Sequence, residues 1–255
     1  MQVTSLSVFR FDSTAARLWA FSQMGLARRA LAAEREIGFW KLFGTGGGES
    51  FRARPNFGVY AILATWPSDA SAQEGLAASP VLRQYRARAA ENWTVRLATV
   101  SVRGRWDGRA PFEPVEAPLE APFAILTRAS IKPWKAAAFW RGAPDIDART
   151  AEEPAILFKR GMGEVPYLRQ VTFSIWSDLE AMKQFAYRHP YHRDAARHAR
   201  ERAWFSEELF ARFRVLGAEG TWEGADPLAT CRPMPFPAPR EKESAPATVS
   251  LAGIA

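Results

Sequence analysis

The chain has 255 residues, of which 47% are hydrophobic and 13% aromatic, so it can bury a large core and is neither disordered nor fibrous. Its net charge of +7 suits an anionic partner, but the arginines are scattered and form no ribonucleoprotein or zinc-finger signature, so we expect no nucleic-acid partner. Cys231 is the single cysteine, the start does not resemble a signal peptide, and no run approaches the ~18 apolar residues of a membrane span. We expect a cytoplasmic protein, with peripheral contact at the cytoplasmic face of a membrane left open.

The first half of the chain predicts the element order βαββαβ. Its elements are a strand over residues 3–11, a helix over 15–30, strands over 37–43 and 57–66, a helix from 69 past Pro80 to about 96, and a strand over 98–106. A polar, glycine-rich stretch at residues 44–50 joins the two central strands as a long hairpin. The half ends at a proline-rich segment, residues 111–122, which indicates a linker.

The same order begins again after the linker. Its elements are a strand over residues 122–131, a helical stretch over 135–140, strands over 155–159 and 170–176, helical pieces over 178–210 split at Pro190, and a strand over 211–217. Landmarks recur in both halves: Trp66 with Trp176, Pro80 with Pro190, Trp93 with Trp204, Lys41 with Lys159, and Trp106-Asp107-Gly108 with Trp222-Glu223-Gly224. The repetition indicates an internal duplication.

This duplication predicts an α+β fold in which two tandem ferredoxin-like βαββαβ repeats form one barrel. We assign residues 1–110 to the first repeat, 111–121 to the linker, 122–224 to the second repeat and 225–255 to a disordered tail. Each antiparallel sheet has helices on one face only, so the two bare apolar faces are expected to pack against each other.

All three histidines lie in the second repeat. On a helix that starts at Pro190, His192 shares a stripe with Ala195, Ala196, Ala199 and Ala203, whereas His198 lies on the charged side. An inward imidazole above alanines leaves room for a flat cofactor that it coordinates, and haem b fits this description. The alternative is that His192 only hydrogen-bonds in the core. The first repeat has Leu82 at this position, so a haem site would belong to the second repeat.

Other chemistries lack a pattern. A zinc site needs about four convergent ligands, and no Cys/His cluster has that spacing. No motif marks a serine or cysteine nucleophile, and the glycines at 44–48 precede neither a phosphate-loop lysine nor a dinucleotide fingerprint. Lys41, Arg52, Arg54 and Lys159 can bind haem propionates by charge-assisted hydrogen bonds, although charges at strand edges also occur without a function.

Seven segments spread over residues 3–224 carry a resemblance to a known family. They are SLSVFRF (5–11), GFWKLFGTG (38–46), RPNFGVY (54–60), QVTFSIWS (170–177), FAY (185–187), YH (191–192) and WFSEELFARF (204–213). With these segments the chain resembles the spheroidene monooxygenase family, the acyclic-carotenoid 2-ketolases of purple phototrophic bacteria.

The resemblance implies a haem-dependent monooxygenase that hydroxylates a spheroidene-type carotenoid twice at C-2, beside a tertiary methoxy group. Loss of water from the geminal diol gives the 2-keto product, spheroidenone. O2 would be the co-substrate and reduced ferredoxin the electron donor, to which the basic charge of the chain is suited. His192 is our candidate for the axial iron ligand, with Lys41, Arg54 and Lys159 as candidate propionate partners. An apolar slot for the polyene is expected, with Phe39, Trp40, Phe57 and Trp176 as candidate lining residues.

Two other interpretations remain. The chain can be a non-catalytic α+β barrel that binds haem or a lipophilic ligand, with His192 merely packed in the core. In the second interpretation haem is a substrate or cargo of the protein, and haem turnover would not require a carotenoid.

Overall fold

A computed structural model of the protein describes residues 1–46, 55–142, 153–188 and 204–233. The elements of the first half are β1 (Val3–Arg10), α1 (Thr14–Ala33), β2 (Phe39–Gly46), β3 (Pro55–Trp66), α2 (Asp69–Ala78), α3 (Pro80–Arg88) and β4 (Glu91–Gly104). Those of the second half are β5 (Phe123–Ile131), a 3₁₀ turn (Pro133–Lys135), α4 (Ala136–Gly142), β6 (Ile156–Val165), β7 (Arg169–Trp176), α5 (Leu179–Arg188) and β8 (Phe205–Gly220). Within these residues, no helix combines the length and apolar character needed to cross a membrane.

The eight strands close into one antiparallel barrel in the order β1-β3-β2-β6-β7-β5-β8-β4. Each half contributes four consecutive strands in the ferredoxin-like order, β4-β1-β3-β2 and β8-β5-β7-β6. The halves meet along two seams on opposite sides of the barrel. The β4–β8 seam is paired along most of its length, whereas β2 and β6 pair only at Gly44–Gly163 and Thr45–Met162. The predicted internally duplicated α+β barrel is confirmed.

The barrel interior is a filled apolar core. Its buried inward side chains include Leu6, Val8, Phe43, Leu63, Val95, Leu126, Phe173, Phe213 and Val215. Trp106 and Trp222 follow the two antiparallel seam strands β4 and β8 and therefore close opposite ends of the barrel. The Trp106 ring lies 5.5 Å from that of Phe39, and the Trp222 ring lies 6.3 Å from that of Phe158. A ligand must therefore bind at the outside of the barrel.

Serine caps explain where the helices of the first half begin. The hydroxyls of Ser13, Ser68 and Ser79 accept hydrogen bonds from backbone N–H groups in the first turns of α1, α2 and α3 at 3.1 to 3.2 Å. Ser79 also separates α2 from α3, because Pro80 occupies the first turn of a new helix. The three helices cover the outer sheet face of the first half, where Phe9, Tyr60, Ile62 and Trp66 are buried.

Two stretches that were predicted to be helical are strands. Residues 91–96 belong to β4 and not to a helix, because Trp93, Val95 and Leu97 alternate into the core and the strand pairs with β1. Residues 205–210 belong to β8, which pairs with both β4 and β5. In each case pairing with neighbouring strands overrides a local pattern that also fits a helix.

Matching turns follow the two seam strands, at the repeated Trp-acid-Gly tripeptides. Asp107 and Gly108 have φ of 51° and 73°, and Glu223 and Gly224 have φ of 58° and 81°. In both turns the tryptophan pairs with the residue three positions later, Arg109 or Ala225. Both central residues of each turn have positive φ, a conformation that glycine adopts at little cost.

A carboxylate from the other half caps each turn. Glu207 accepts hydrogen bonds from the N–H groups of Asp107 and Gly108 at 2.9 and 2.7 Å. Glu91 accepts them from Glu223 and Gly224 at 3.0 and 2.7 Å. Glu91 and Glu207 are therefore equivalent positions, and each ties one half of the barrel to the other.

We expect these capping carboxylates to make the fold acid-sensitive. Burial alone would raise the pKa of Glu91 and Glu207. The backbone N–H donors lower both pKa values, and so do Thr221 and Arg10 for Glu91 and Arg128 for Glu207. The pKa of each carboxyl therefore lies below the ordinary value of 4.5. A depressed folded-state pKa contributes stability that is full above about pH 4.5 and is lost as the pH falls through the folded value. Urea unfolding between about pH 5 and pH 3 should show a steeper loss in wild type than in Glu91→Gln/Glu207→Gln. Equal slopes would contradict this.

The two turns and the strand pairing confirm one pair of the repeated landmarks and correct two others. Trp66 and Trp176 are equivalent, since they pair with β1 and β5 at matching positions. Lys41, however, corresponds to Arg160 and not to Lys159. Lys41 lies 5.8 Å from the Trp106 ring and Arg160 lies 5.0 Å from the Trp222 ring. A shift of one residue in a strand moves a side chain to the other face.

The predicted correspondence between Trp93 and Trp204 is also wrong. Trp93 is fully buried in the barrel core, where its ring lies 4.6 Å from that of Phe158. Trp204 precedes β8, and its ring lies 5.8 Å from that of Phe139 on the helical side. Trp93 pairs with Val8 of β1, and Leu209 pairs with Arg128, the equivalent residue of β5. Leu209 is therefore the counterpart of Trp93.

Residues of the predicted linker and of the predicted tail pack into the barrel core. Phe112, in the proline-rich segment, packs in the core 5.2 Å from the Phe213 ring. Leu228 is 1% exposed and belongs to the same core. Residues 234–255 lie outside the described residues, and the division into two repeats, a linker and a tail stays a prediction.

Candidate active site

An apolar cavity of about 380 Å³ lies on the outside of the barrel at the short β2–β6 seam. Its walls come from both halves and are formed mainly by Phe21 and Met24 of α1, Phe57 and Tyr60 of β3, Trp140 of α4, and Pro166 and Tyr167 after β6. Trp140 and Tyr167 are held together, because the indole N–H donates to the Tyr167 carbonyl oxygen at 2.9 Å. The polar side chains at its border are Thr45, Asn56, Glu164 and Gln170. Such a mostly apolar site with few polar groups is typical of lipophilic ligands.

Glycines form the bottom of this cavity. Gly44, Gly46 and Gly163 line it from β2 and β6. A Cβ atom added at Gly44 would meet nothing within 4 Å, and one at Gly163 would meet its nearest atom at 3.4 Å. Because these strands carry no side chain here, the space above the seam is open to a ligand.

A partly buried ion-pair network lies directly behind the cavity, at the Trp106 end of the barrel. It joins Arg128, Lys41 and Arg169 with Asp107, Glu164 and Glu207. The Arg128 side chain is completely buried, forms an ion pair with Glu207, and lies 3.1 Å from Asp107 and 3.6 Å from Glu164. Three cations and three carboxylates make the network neutral, which is the condition for burying charges at tolerable cost.

Glu164 connects this network to the cavity. One carboxylate oxygen accepts a hydrogen bond from the Trp106 indole at 2.8 Å, and the other lies 2.8 Å from the Lys41 ammonium. Burial would raise the pKa of Asp107, but its hydrogen bond with Lys41 and the charges of Lys41, Arg169 and Arg128 lower it. The network therefore fixes Glu164 in the wall of the cavity through its contacts with Trp106 and Lys41.

A second feature distinguishes the outer sheet face of the second half. In the first half one cross-strand row consists of Thr94, Ser7, Ile62 and Leu42; the equivalent row of the second half is Phe210, Thr127, Thr172 and Gly161. Ile62 and Leu42 are 2% and 3% exposed beneath the helices. Threonine and glycine at the matching positions remove both large side chains. We call Thr127, Thr172 and Gly161 the small-residue floor.

The small-residue floor adjoins the cavity. Gly163 and Gln170 line the cavity and lie two residues from Gly161 and Thr172 on the same strands. Side chains two positions apart share a sheet face and are separated by ~7 Å. On the other side, the next row carries Arg212 and Lys159 at its ends, with Ile125 and Ser174 between them. A ligand in the cavity therefore reaches a flat floor bordered by two cations.

The structure separates the predicted site residues. Lys41 lies at the barrel end, where Asp107 and Glu164 already match its charge, which weighs against its binding a propionate. Lys159 lies on the outer face beside the small-residue floor and borders a second cavity of about 200 Å³. Arg54 and His192, like His189 and His198, lie outside the described residues, so their roles stay predictions. In the part of the chain that is described, no group of three or more His, Cys, Asp or Glu side chains is placed to bind a metal.

Of the four predicted lining residues, only Phe57 borders the cavity. Phe39 points into the barrel against Trp106, and Trp40 packs on the outer face with Arg28 5.5 Å from its ring. Trp176 is buried beneath α5, where Phe185 lies 5.5 Å away. Aromatic content alone cannot tell a core position from a ligand contact.

The glycines and the ion-pair network were missed by the sequence analysis. The signal for the cavity was present: Gly44 and Gly163 interrupt otherwise regular strands, and a strand glycine often marks a close approach. Arg128 gave no signal, because its partners Asp107, Glu164 and Glu207 come from three distant segments of the chain.

Comparison with known proteins identifies close relatives over most of the chain. The chain is 48% identical to a spheroidene monooxygenase of Rhodobacter capsulatus, over 90% of this chain and 97% of the relative. It is 42% identical to a protein of the same name from Cereibacter sphaeroides, over 97% of this chain and 79% of the relative. A third relative of that name, from Rubrivivax gelatinosus, is 34% identical over 82% of this chain and 81% of the relative.

No family model matches the chain. Two solved structures of aldoxime dehydratase, one in complex with butyraldoxime, are similar with TM-scores of 0.53 and 0.54 and 10% sequence identity. They cover 84% of this chain and 81% and 79% of the solved chains. At this identity the likeness concerns the fold alone.

Proposed function

Because the chain belongs to the spheroidene monooxygenase family, we propose that this oxidoreductase is a haem-dependent monooxygenase that hydroxylates spheroidene-type acyclic carotenoids twice at C-2. The observation that carries the proposal is the continuity between the glycine-bottomed cavity and the small-residue floor. The cavity suits the apolar end of a polyene, and the floor suits a flat ring beside it. The two would meet at Gly163 and Gln170.

The described residues fit haem b. The small-residue floor lacks the two large side chains that fill the first half at the same place, so a planar ring can lie against the sheet. Lys159 and Arg212 border the floor and would bind propionates, and His192 would supply the imidazole that binds the iron. Haem, when bound, supplies the activation of O2 that C–H hydroxylation requires.

The protein's own contribution is alignment and exclusion of water. The apolar walls around Phe57, Trp140 and Tyr167 would hold the chain end, while the glycines admit it close to the sheet. Each hydroxylation consumes one O2, two electrons and two protons and releases one water. The second round, at the same carbon, gives a geminal diol that loses water to form the ketone. A cavity that holds the end group in one position would keep both rounds on C-2.

Electrons must come from a partner, for which we propose reduced ferredoxin. Ferredoxins are acidic, and the net charge of +7 provides electrostatic attraction to such a donor. An apolar polyene partitions from water into lipid, so peripheral contact with the cytoplasmic face is part of this proposal.

The proposal is tested by an absorption spectrum and a product assay on three proteins: wild type, His192→Ala and His198→Ala. We expect a Soret band in wild type and its loss in His192→Ala, because the imidazole would be the iron ligand. His198→Ala is the matched control and should keep both the Soret band and ketocarotenoid formation from spheroidene, O2 and reduced ferredoxin. Ketocarotenoid formation by colourless wild-type protein would overturn the haem assignment.

The open apolar cavity also suits a lipophilic-ligand-binding protein without catalysis. The same assay separates the two functions. Carotenoid bound stoichiometrically and recovered unchanged in the presence of O2 and reductant would favour binding alone, and haem turnover without a carotenoid would make haem the substrate.

A further inference from the structure

The exposed large apolar side chains of the described residues are gathered around the mouth of the cavity. Eight such residues are exposed, and all but Met1 lie in four segments that border it: Leu18, Phe21 and Leu26 on α1, Phe57 on β3, Trp134 before α4, and Val165 and Tyr167 at the end of β6. Leu18, Leu26 and Trp134 are 65%, 69% and 75% exposed. A large exposed apolar patch on a soluble protein indicates an interaction surface.

In two of the segments that form this patch, α1 and residues 132–142, the charged residues have one sign. Helix α1 contains Arg17, Arg28 and Arg29 and no acidic residue. Residues 132–142, on the other side of the mouth, contain Lys132, Lys135 and Arg141 and no acidic residue. Apolar side chains interspersed with cations alone are typical of surfaces that lie on anionic lipid.

The orientation of α1 places its apolar residues outward. Ala20, Ala27 and Leu31 face the sheet and are buried. Leu18 lies on the opposite side of the helix, with Gly25 and Arg29 two and three turns further and Leu26 next to them. This outer stripe therefore has no partner within the described part of the chain.

We propose that this face, formed by α1, the start of β3 and the segment around Trp134, docks on the surface of an anionic lipid bilayer with the cavity mouth toward the acyl chains. The inference rests on the proposed function in one respect: a cavity of about 380 Å³ holds only the end of a carotenoid, so the remaining polyene must extend through the mouth. Docking would keep that polyene in lipid and spare its transfer through water. Trp134 and Tyr167, with apolar rings and polar N–H and O–H groups, suit the headgroup region.

Vesicle sedimentation of the full-length protein tests the docking face without haem or carotenoid. Wild type should bind vesicles of phosphatidylcholine and phosphatidylglycerol and bind less with added salt or with phosphatidylcholine alone. Leu18→Gln/Leu26→Gln should bind at least about tenfold more weakly to the anionic vesicles. Arg29→Gln should bind about fivefold more weakly to them, whereas Arg103→Gln, an exposed arginine on the opposite β4–β8 seam, is the matched control and should bind like wild type.

Three results would overturn the docking face: absence of wild-type binding, unchanged binding of Leu18→Gln/Leu26→Gln, or an equal loss in Arg103→Gln. Conversion of a dimer to a monomer by Leu18→Gln/Leu26→Gln in lipid-free sedimentation velocity would likewise assign this face to a second copy of the chain. Turnover of carotenoid in detergent should be kept by both α1 variants, since neither lines the cavity. Normal vesicle binding with no oxidation would refute the proposed function and leave the docking face standing.

Discussion

Gly44→Phe is expected to abolish ketocarotenoid formation while leaving the fold intact. An added Cβ at this position meets no atom within 4 Å, so the phenyl ring is free to occupy the cavity above the β2–β6 seam. Gly44 lies within a β-strand, where an aromatic residue is well tolerated, and we expect the free energy of unfolding to change by less than about 1 kcal/mol. A misplaced end group should lower product formation by at least about 100-fold, measured as ketocarotenoid formed per protein.

Gly44→Ala is the matched control, because a methyl group leaves most of the cavity open. It should retain most of the activity and the same absorption spectrum as wild type. If Gly44→Phe oxidises the carotenoid at the wild-type rate, the polyene end does not bind in this cavity. Loss of the haem spectrum in Gly44→Phe would indicate instead that the ring perturbs the neighbouring small-residue floor.

Arg128→Met should destabilise the protein by about 3 to 5 kcal/mol. The guanidinium is completely buried and compensates carboxylates from β6, β8 and the turn after β4, so its removal leaves Glu207, Asp107 and Glu164 close together with less positive charge. Methionine has a similar length and is apolar, which limits the loss of packing. Urea unfolding at neutral pH measures the difference.

Arg169→Met provides the comparison. Arg169 contacts the same Asp107 at 3.2 Å, but its side chain is 44% exposed, so we expect a cost below about 1 kcal/mol. Similar losses in the two variants would show that burial of Arg128 is not what makes its charge important. Because Glu164 borders the cavity, Arg128→Met should also weaken carotenoid binding at temperatures where it remains folded.

The amino-acid sequence predicted the eight-stranded duplication because it depends on short-range patterns. Alternating residues mark the strands, and the Trp-acid-Gly turns recur with the same left-handed backbone in both halves. The family also followed from local segments, which resemble the spheroidene monooxygenases over most of the chain.

Register was predicted less well, and the reason is the two-residue period of a strand. Lys41 and Lys159 match by type and approximate position, yet a one-residue difference puts Lys41 at the barrel end and Lys159 on the outer face. The helical prediction for residues 91–96 failed for a related reason: the apolar residues of this stretch fit either period, and only pairing with β1 and β8 decides between them.

By itself the sequence determined the fold class, the two halves, the family and the placement of all histidines in the second half. Only the tertiary structure decided where a ligand can enter, because the cavity joins Phe21, Gly44, Phe57, Trp140 and Gly163 from both halves. It also decided that Arg128 is buried among carboxylates from three distant segments at the Trp106 end of the barrel. A local pattern records which face a residue takes within its own strand, whereas a cavity and a buried ion pair depend on which distant strands become neighbours when the barrel closes.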